Sequence, residues 1–430
     1  MGGTWGLLGP QSLPNTRRTR TLGLGVSIRR FNDLAVPGLG GIWYGKQLLL
    51  ATLGVAVAES ARKQGMKVQN IEVANAIEAL ACWLAFKANN WSPDARLRGR
   101  TKLQRKQDFG FRSARQRNFH VTQPMRMLSV QALPALGFVE SESARFNAFR
   151  CSEPGLAFAE TALDQFHPFR RSVLAHLTCW VQGKDDRVDT DALRSALSPV
   201  EPLDEEALPL LSERLIQGGK NSVEQRRRRK NALNWVDSLR INKRGTTNWG
   251  SRPSQIDENH WRDLQAGALF FEVRDAAIAV LDAMEVHMAN QGAGQFLVLN
   301  KTEPESLNQP LASLQSAAVE YLKFKHPDTD ASAFCSQCAG RQHMDVLRAL
   351  VIRDGHVLRL SGDTVKPGPA FRGRVGQAST EDEDSPTQQR TALALPEGIS
   401  YRVQNLYLLN LDLHGELESW LKQQSDGANA

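Results

Sequence analysis

Five cysteines in 430 residues, an odd count, are too few for a disulfide scaffold and fit a reducing compartment. Long apolar runs are missing as well. The most apolar stretch, from Leu48 to Ala58, is about half a membrane span and sits between Lys46 and Glu59. It reads as a buried helix. The opening from Met1 to Arg20 carries Arg17, Arg18 and Arg20 without the apolar run of a secretory signal. No phosphate-loop, nucleophile-elbow or H-E-x-x-H signature occurs, and Gly292-Ala-Gly294 is too short for a phosphate loop. What these absences leave is a soluble, cytoplasmic chain with no membrane partner and no motif-bearing hydrolase site.

What is present is a basic chain of ordinary globular composition. Hydrophobic residues at 41% and charged residues at 23% exclude a disordered or fibrous protein. The length suggests two to three domains. The net charge of +7 is unevenly spread. From Arg96 to Arg126 there are ten basic residues and one acid, Asp108; from Glu224 to Arg244 there are eight and two. These two stretches exceed the chain's whole net charge, so the remainder is net acidic. Concentrated positive charge beside acidic surface is the footprint of a polyanion binder. Two solvated basic linkers would give the same pattern.

Apolar spacing predicts helices from Lys46 to Gln64, stopped by Gly65, and from Ile71 to Ala88 with Asn70 as cap. After the basic stretch, Thr122 can cap a helix with Pro124 in its second position, and Pro134 ends or kinks it. Gly137 breaks the pattern. Short strands are expected at Phe138 to Glu140 and Arg145 to Arg150, a turn at Pro154-Gly155, then a helix from Leu156 to Phe166.

This order, ending in ALPALGFVESESARFNAFRCSEPGLAFAETAL, resembles the winged helix-turn-helix superfamily over about Asn70 to Gln165. The resemblance implies a recognition helix from Thr122 in the major groove, with Gln123, Arg126, Ser129 and Gln131 reading base edges. It also implies phosphate contacts from Arg145 and Arg150 on the wing and from Arg112, Arg115 and Arg117 ahead of the helix. Two features depart from the superfamily's pattern: a long connector between the second and third helices, and Pro134 inside the recognition helix. Winged domains that bind only protein share the same order, and an ordinary solvated face remains the plain alternative.

Further along, Arg226, Arg227, Arg228, Arg229 and Lys230 open a basic amphipathic helix that runs to Leu239. Arginines there oppose the helix dipole and call for a polyanion or an acidic partner; a nuclear-localisation signal is another reading of the run. Trp261 to Asn290 is the longest helical pattern, and Asp257, Glu258, His260 and Asp263 read as its capped start. Cys335, Cys338 and His343 form a C-x2-C-x4-H cluster with three zinc-type ligands; His326, His356, Cys151 and Cys179 are candidates for a fourth. Two ordinary thiols or a redox pair are the other readings, although no thioredoxin-like strand precedes the pair. Val351 to Leu360 reads as a hairpin about Asp354-Gly355, and Tyr401 to Leu413 as a buried strand or helix.

The expected architecture is mainly α with small β elements. A turn-rich segment (1–45) leads into a winged-helix-like domain (46–183), then an acidic linker (184–206) and a helical domain (207–300). A small mixed region with the C-x2-C pair (301–372), a disordered linker (373–392) and a C-terminal segment (393–430) follow. The expected function is non-catalytic binding of double-stranded DNA within a larger prokaryotic DNA-handling or defence complex, with partner proteins docking elsewhere. In overall style the chain resembles accessory components of such operons. No cofactor follows from the sequence, and zinc is the one its ligand pattern allows. One rival is a nuclease in which Glu320 and Lys323 meet Asp328 or Asp330 in a cleft. The other is a scaffold whose basic segments dock acidic proteins.

Overall fold

The computed structural model describes residues 20, 22–107, 109–242, 248–291, 297–299, 304–340, 342–373 and 395–428. Of these residues 61% are helical and 4% are in strands, the mainly α composition expected. The expected turn-rich opening as far as residue 19 and the expected linker from residue 374 on lie outside the described residues. So do Asp108, Lys243, Arg244 and Gly292 to Gly294. No helix among the described residues is long and apolar enough to cross a membrane. The chain divides into two compact units, a larger one within Phe31–Gln265 and Ala378–Ala430 and a smaller one within Met1–Arg30 and Ala266–Gln377.

After α1 (Gly25–Ala35), the larger unit is built around α2 (Gly45–Lys63) and α3 (Asn70–Ala88). Every residue of α2 from Gly45 to Ala58 is buried, because the segment is apolar on all sides. The two helices meet at Gly54, where an added Cβ would lie 2.6 Å from that of Ala74. Only glycine permits that approach. The cap of α3 is Gln69, whose backbone N–H donates to the Glu72 carboxylate at 2.8 Å. Asn70, expected as the cap, lies inside the helix instead. Its amide donates to the carbonyls of Phe146 and Phe149 at 3.0 and 2.8 Å, tying that segment to α3.

The basic stretch forms two single turns, α4 (Arg100–Leu103) and α5 (Phe111–Ala114). The helix expected from Thr122 is two further short pieces, α6 (Arg126–Ser129) and α7 (Ala132–Leu136). Pro134 explains the break. It has no N–H to bond the Val130 carbonyl, so the helix restarts with Pro134 inside a first turn that needs no such donor. Gly137, left-handed at φ 75°, ends α7 as the sequence indicates. The hairpin expected as a wing is a ladder of two residue pairs: β1 (Val139–Glu140) lies antiparallel to β2 (Arg150–Cys151), with Glu140 opposite Arg150. The strand expected from Arg145 starts only at Arg150. Before it a 3-10 turn at Phe146–Ala148 buries Phe146 and Phe149. Pro154-Gly155 is no turn but the start of α8 (Glu153–Thr161), capped by the Ser152 hydroxyl, which accepts from the Gly155 N–H at 3.0 Å.

The unit continues through α9 (Val173–Val181), α10 (Asp191–Leu197), α11 (Ala207–Gln217) and α12 (Val223–Asn242). Helix α10 buries Leu193, Ala196 and Leu197, and the buried Lys46 ammonium donates to its Ala196 carbonyl at 2.8 Å. Helix α13 (Glu258–Ala289) starts as expected, with the Asp257 carboxylate accepting from the His260 N–H at 2.9 Å.

In the smaller unit, β3 (Leu297–Val298) precedes α14 (Asn308–Phe324), α15 (Thr329–Cys338) and α16 (His343–Asp354). Phe270, Tyr321 and Phe334 pack there ring against ring at 6.0 and 6.3 Å. Next come β4 (Leu358–Ser361) and β5 (Thr364–Pro367), giving an antiparallel sheet in the order β3-β5-β4. The hairpin expected about Asp354-Gly355 turns instead at Gly362-Asp363. Gly355, left-handed at φ 60°, ends α16, and the Asp354 carboxylate accepts the N–H groups of Val357 and Leu358. Back in the larger unit, Tyr401 to Leu413 is helical (α17, Tyr401–Leu413), packs on α12 and is followed by α18 (Leu417–Ala428).

Candidate nucleic-acid interface

The two basic stretches have different fates. In Arg226 to Lys230 the charge is largely answered within the chain. Arg227 pairs with Glu224 at 2.6 Å and reaches Asp257 at 3.7 Å. Arg228 pairs with Glu224 at 2.8 Å and Asp263 at 2.6 Å. Arg229 is fully buried, and its guanidinium donates to the carbonyls of Leu215, Pro37 and Gly218. Burial, together with Arg214 and Arg226 nearby, lowers its pKa to about 10. The acidic partner that the helix start demands is therefore internal: Glu224, Asp257 and Asp263. Arg229 leaves the set of nucleic-acid contacts, Arg227 and Arg228 are engaged in ion pairs, and only Arg226 and Lys230 lack an acidic partner among the described residues.

The residues expected to read bases are also engaged by the fold. Glu78, buried in α3, accepts the backbone N–H groups of Met125 and Arg126 at 2.8 and 3.2 Å and meets the His120 Nε2 at 3.1 Å. It fixes the start of α6 from inside. Arg126 donates to Asn75 at 2.5 Å and covers the Phe146 ring, and burial lowers its pKa. Ser129 is buried and its hydroxyl donates to the Arg126 carbonyl. Gln131 is held between Asp33 and Arg402, each at 2.7 Å. The Gln123 carbonyl accepts from Arg98. Ser129 cannot touch a base, and Arg126 and Gln131 would have to give up these partners to do so. Glu78, Asp33 and Arg402, which restrain the segment, lie far from it in sequence, so no local pattern reveals them.

Among the expected phosphate contacts, Arg115 pairs with Glu72 through its Nε at 3.1 Å and lies over the Phe111 ring. Arg112, Arg117, Arg145 and Arg150 are exposed, without an ion pair among the described residues. Arg117 joins three cations that were not singled out as site residues. Lys102, Arg105, Lys106 and Arg117 line an open concavity of about 310 Å³ with Thr101, Gln116, Asn118 and Phe119. Leu103 anchors one wall in the core and Phe119 the other, which leaves the charged side chains outside. The Lys106 ammonium stands 4.5 Å from the centre of the Phe119 ring. No acidic side chain lines the concavity among the described residues.

The metal candidates do not assemble among the described residues. Cys335 and Cys338 are buried on α15, and burial pushes both thiols up, Cys338 to about 12. His343 opens α16. No group of three His, Cys, Asp or Glu side chains among the described residues is placed to hold a metal ion. Glu320 and Lys323 pair with each other, exposed on α14. Asp328 is buried and instead caps α15, accepting from the Ala331 N–H and from Arg30, both at 2.8 Å. Glu320 with Lys323, and Asp328, are thus engaged separately. No family model, curated protein or solved structure matches this chain.

Proposed function

We infer that the chain binds double-stranded DNA through the phosphate backbone, as a non-catalytic component of a larger DNA-handling assembly. The interface is the exposed cationic face formed by Lys102, Arg105, Arg112 and Arg117, with Arg145 and Arg150 of the expected wing adding contacts. One observation carries this reading: Lys102, Arg105, Arg112 and Arg117 are exposed and have no acidic partner among the described residues. Like charges gathered this way repel one another, and a polyanion laid across them relieves the repulsion while releasing its own counterions. A backbone mode needs no base-reading helix, so the internal engagement of Arg126, Ser129 and Gln131 fits binding with little sequence preference.

The test is a titration against a mixed-sequence duplex at two salt concentrations. Six phosphate contacts predict an affinity about a thousandfold weaker at ~200 mM than at ~50 mM salt. An absence of binding at the lower concentration would overturn the reading.

A further inference from the structure

We propose that the concavity between residues 101–106 and 116–119 is a binding site for a phosphate monoester, the group that ends a DNA strand or a free nucleotide. Where the phosphate is a strand end, the inference rests on the backbone-binding reading; where it is a free nucleotide, it stands alone. Size is the first argument. At about 310 Å³ the space lies at the lower end of small-ligand sites, right for one compact group and its sugar.

Charge is the second. Four cations, Lys102, Arg105, Lys106 and Arg117, line the space with no acid among the described lining residues. An internal phosphodiester brings one negative charge. A monoester brings close to two at neutral pH, with three acceptor oxygens. With three acceptor oxygens it can meet two guanidinium forks and an ammonium together, and it offsets about twice as much of the cationic charge as a diester does. Lys106 is already steadied against the Phe119 ring, so less side-chain freedom is lost when it meets an anion. Gln116 and Asn118 add neutral polar groups at the rim.

Two duplexes of one sequence, with a 5′-phosphate and with a 5′-hydroxyl, provide the experiment, with adenosine monophosphate and adenosine as free probes. The full-length chain is compared with the double variant Lys102→Ala, Arg105→Ala. Both side chains are exposed, so the variant keeps the fold. A 5′-phosphate preference of about tenfold or more that disappears in the double variant supports the proposal with a strand end as the source. Binding of the monophosphate but not of adenosine, lost in the same variant, supports it with a free nucleotide as the source. Arg112→Ala, outside the concavity, should weaken both duplexes alike. Equal affinity for the two duplexes together with no monophosphate binding overturns the proposal. In that case the backbone reading stands if both duplexes bind and falls if neither does.

Discussion

Residues 96–117 and 224–240 have similar basic composition and opposite surroundings. In the second stretch, Arg227 and Arg228 meet Glu224, Asp257 and Asp263, and Arg229 is inserted among three carbonyls. In the first, Arg96 and Arg115 find Asp94 and Glu72, while Lys102, Arg105, Arg112 and Arg117 are left facing solvent. A run of arginines is thus no sign of a binding surface in itself. What matters is whether the fold brings acids or carbonyls to it. The denser run, four arginines and a lysine in succession, is the one that serves mainly as structure.

Breaking this comparison at its structural end should give the largest effect. Arg229→Ala would strand the buried Leu215 and Pro37 carbonyls and take one of two donors from that of Gly218, and is expected to cost about 3 kcal/mol or more in denaturant unfolding. Lys102→Ala should stay within about 0.5 kcal/mol of the parent. At the binding end the order reverses. Lys102→Glu with Arg105→Glu removes two contacts and adds two repulsions, so duplex affinity should fall about a hundredfold in a low-salt titration. Reversing the hairpin charges, Arg145→Glu with Arg150→Glu, should cost about tenfold, since these arginines lie outside the cationic concavity; unchanged affinity would remove the hairpin from the interface. Arg227→Ala should alter duplex affinity by less than about twofold, because its guanidinium is already paired.

The smallest effect sharpens the account of the buried face beside α12. The His260 Nε2 donates to the Ala35 carbonyl at 2.8 Å, while its buried Nδ1 has no partner among the described residues. Burial, with Arg228 nearby, holds its pKa below the ordinary histidine value. A depressed folded-state pKa means that the unfolded chain takes up the proton first. Stability from this group is therefore complete above about pH 6.5 and declines as pH falls toward the folded-state value. His260→Gln keeps a donor for Ala35 and should flatten that acid-side decline in thermal melts.

The helices were readable where apolar spacing and stop signals agree, as in α2 with Gly65, α3 and α13 with its Asp257 cap. Elsewhere one local signal served two structures. Asp354-Gly355 suits a hairpin turn and a helix end equally, because both need a residue at positive φ, and the neighbouring α16 took it. Pro134 was readable as a break, but not that the pieces on either side would be held by Glu78, Asp33 and Arg402. For the candidate site, the sequence located the basic stretch without separating free cations from paired ones. Asp257 and Asp263 lie about thirty residues beyond the arginines they neutralise, and the concavity joins two turns separated by α5. Such pairings depend on tertiary packing, which a linear charge count does not contain.

On the proposed function, the first basic stretch meets phosphate, whereas the second holds the fold. The most direct test is the slope of log affinity against log salt for a mixed-sequence duplex, measured on the parent chain and on Lys102→Ala, Arg105→Ala, Arg117→Ala combined. Each lost phosphate contact should reduce the slope by about one, so the triple variant should lose about three. An unchanged slope with undiminished affinity would contradict the account and place the contact surface elsewhere on the molecule.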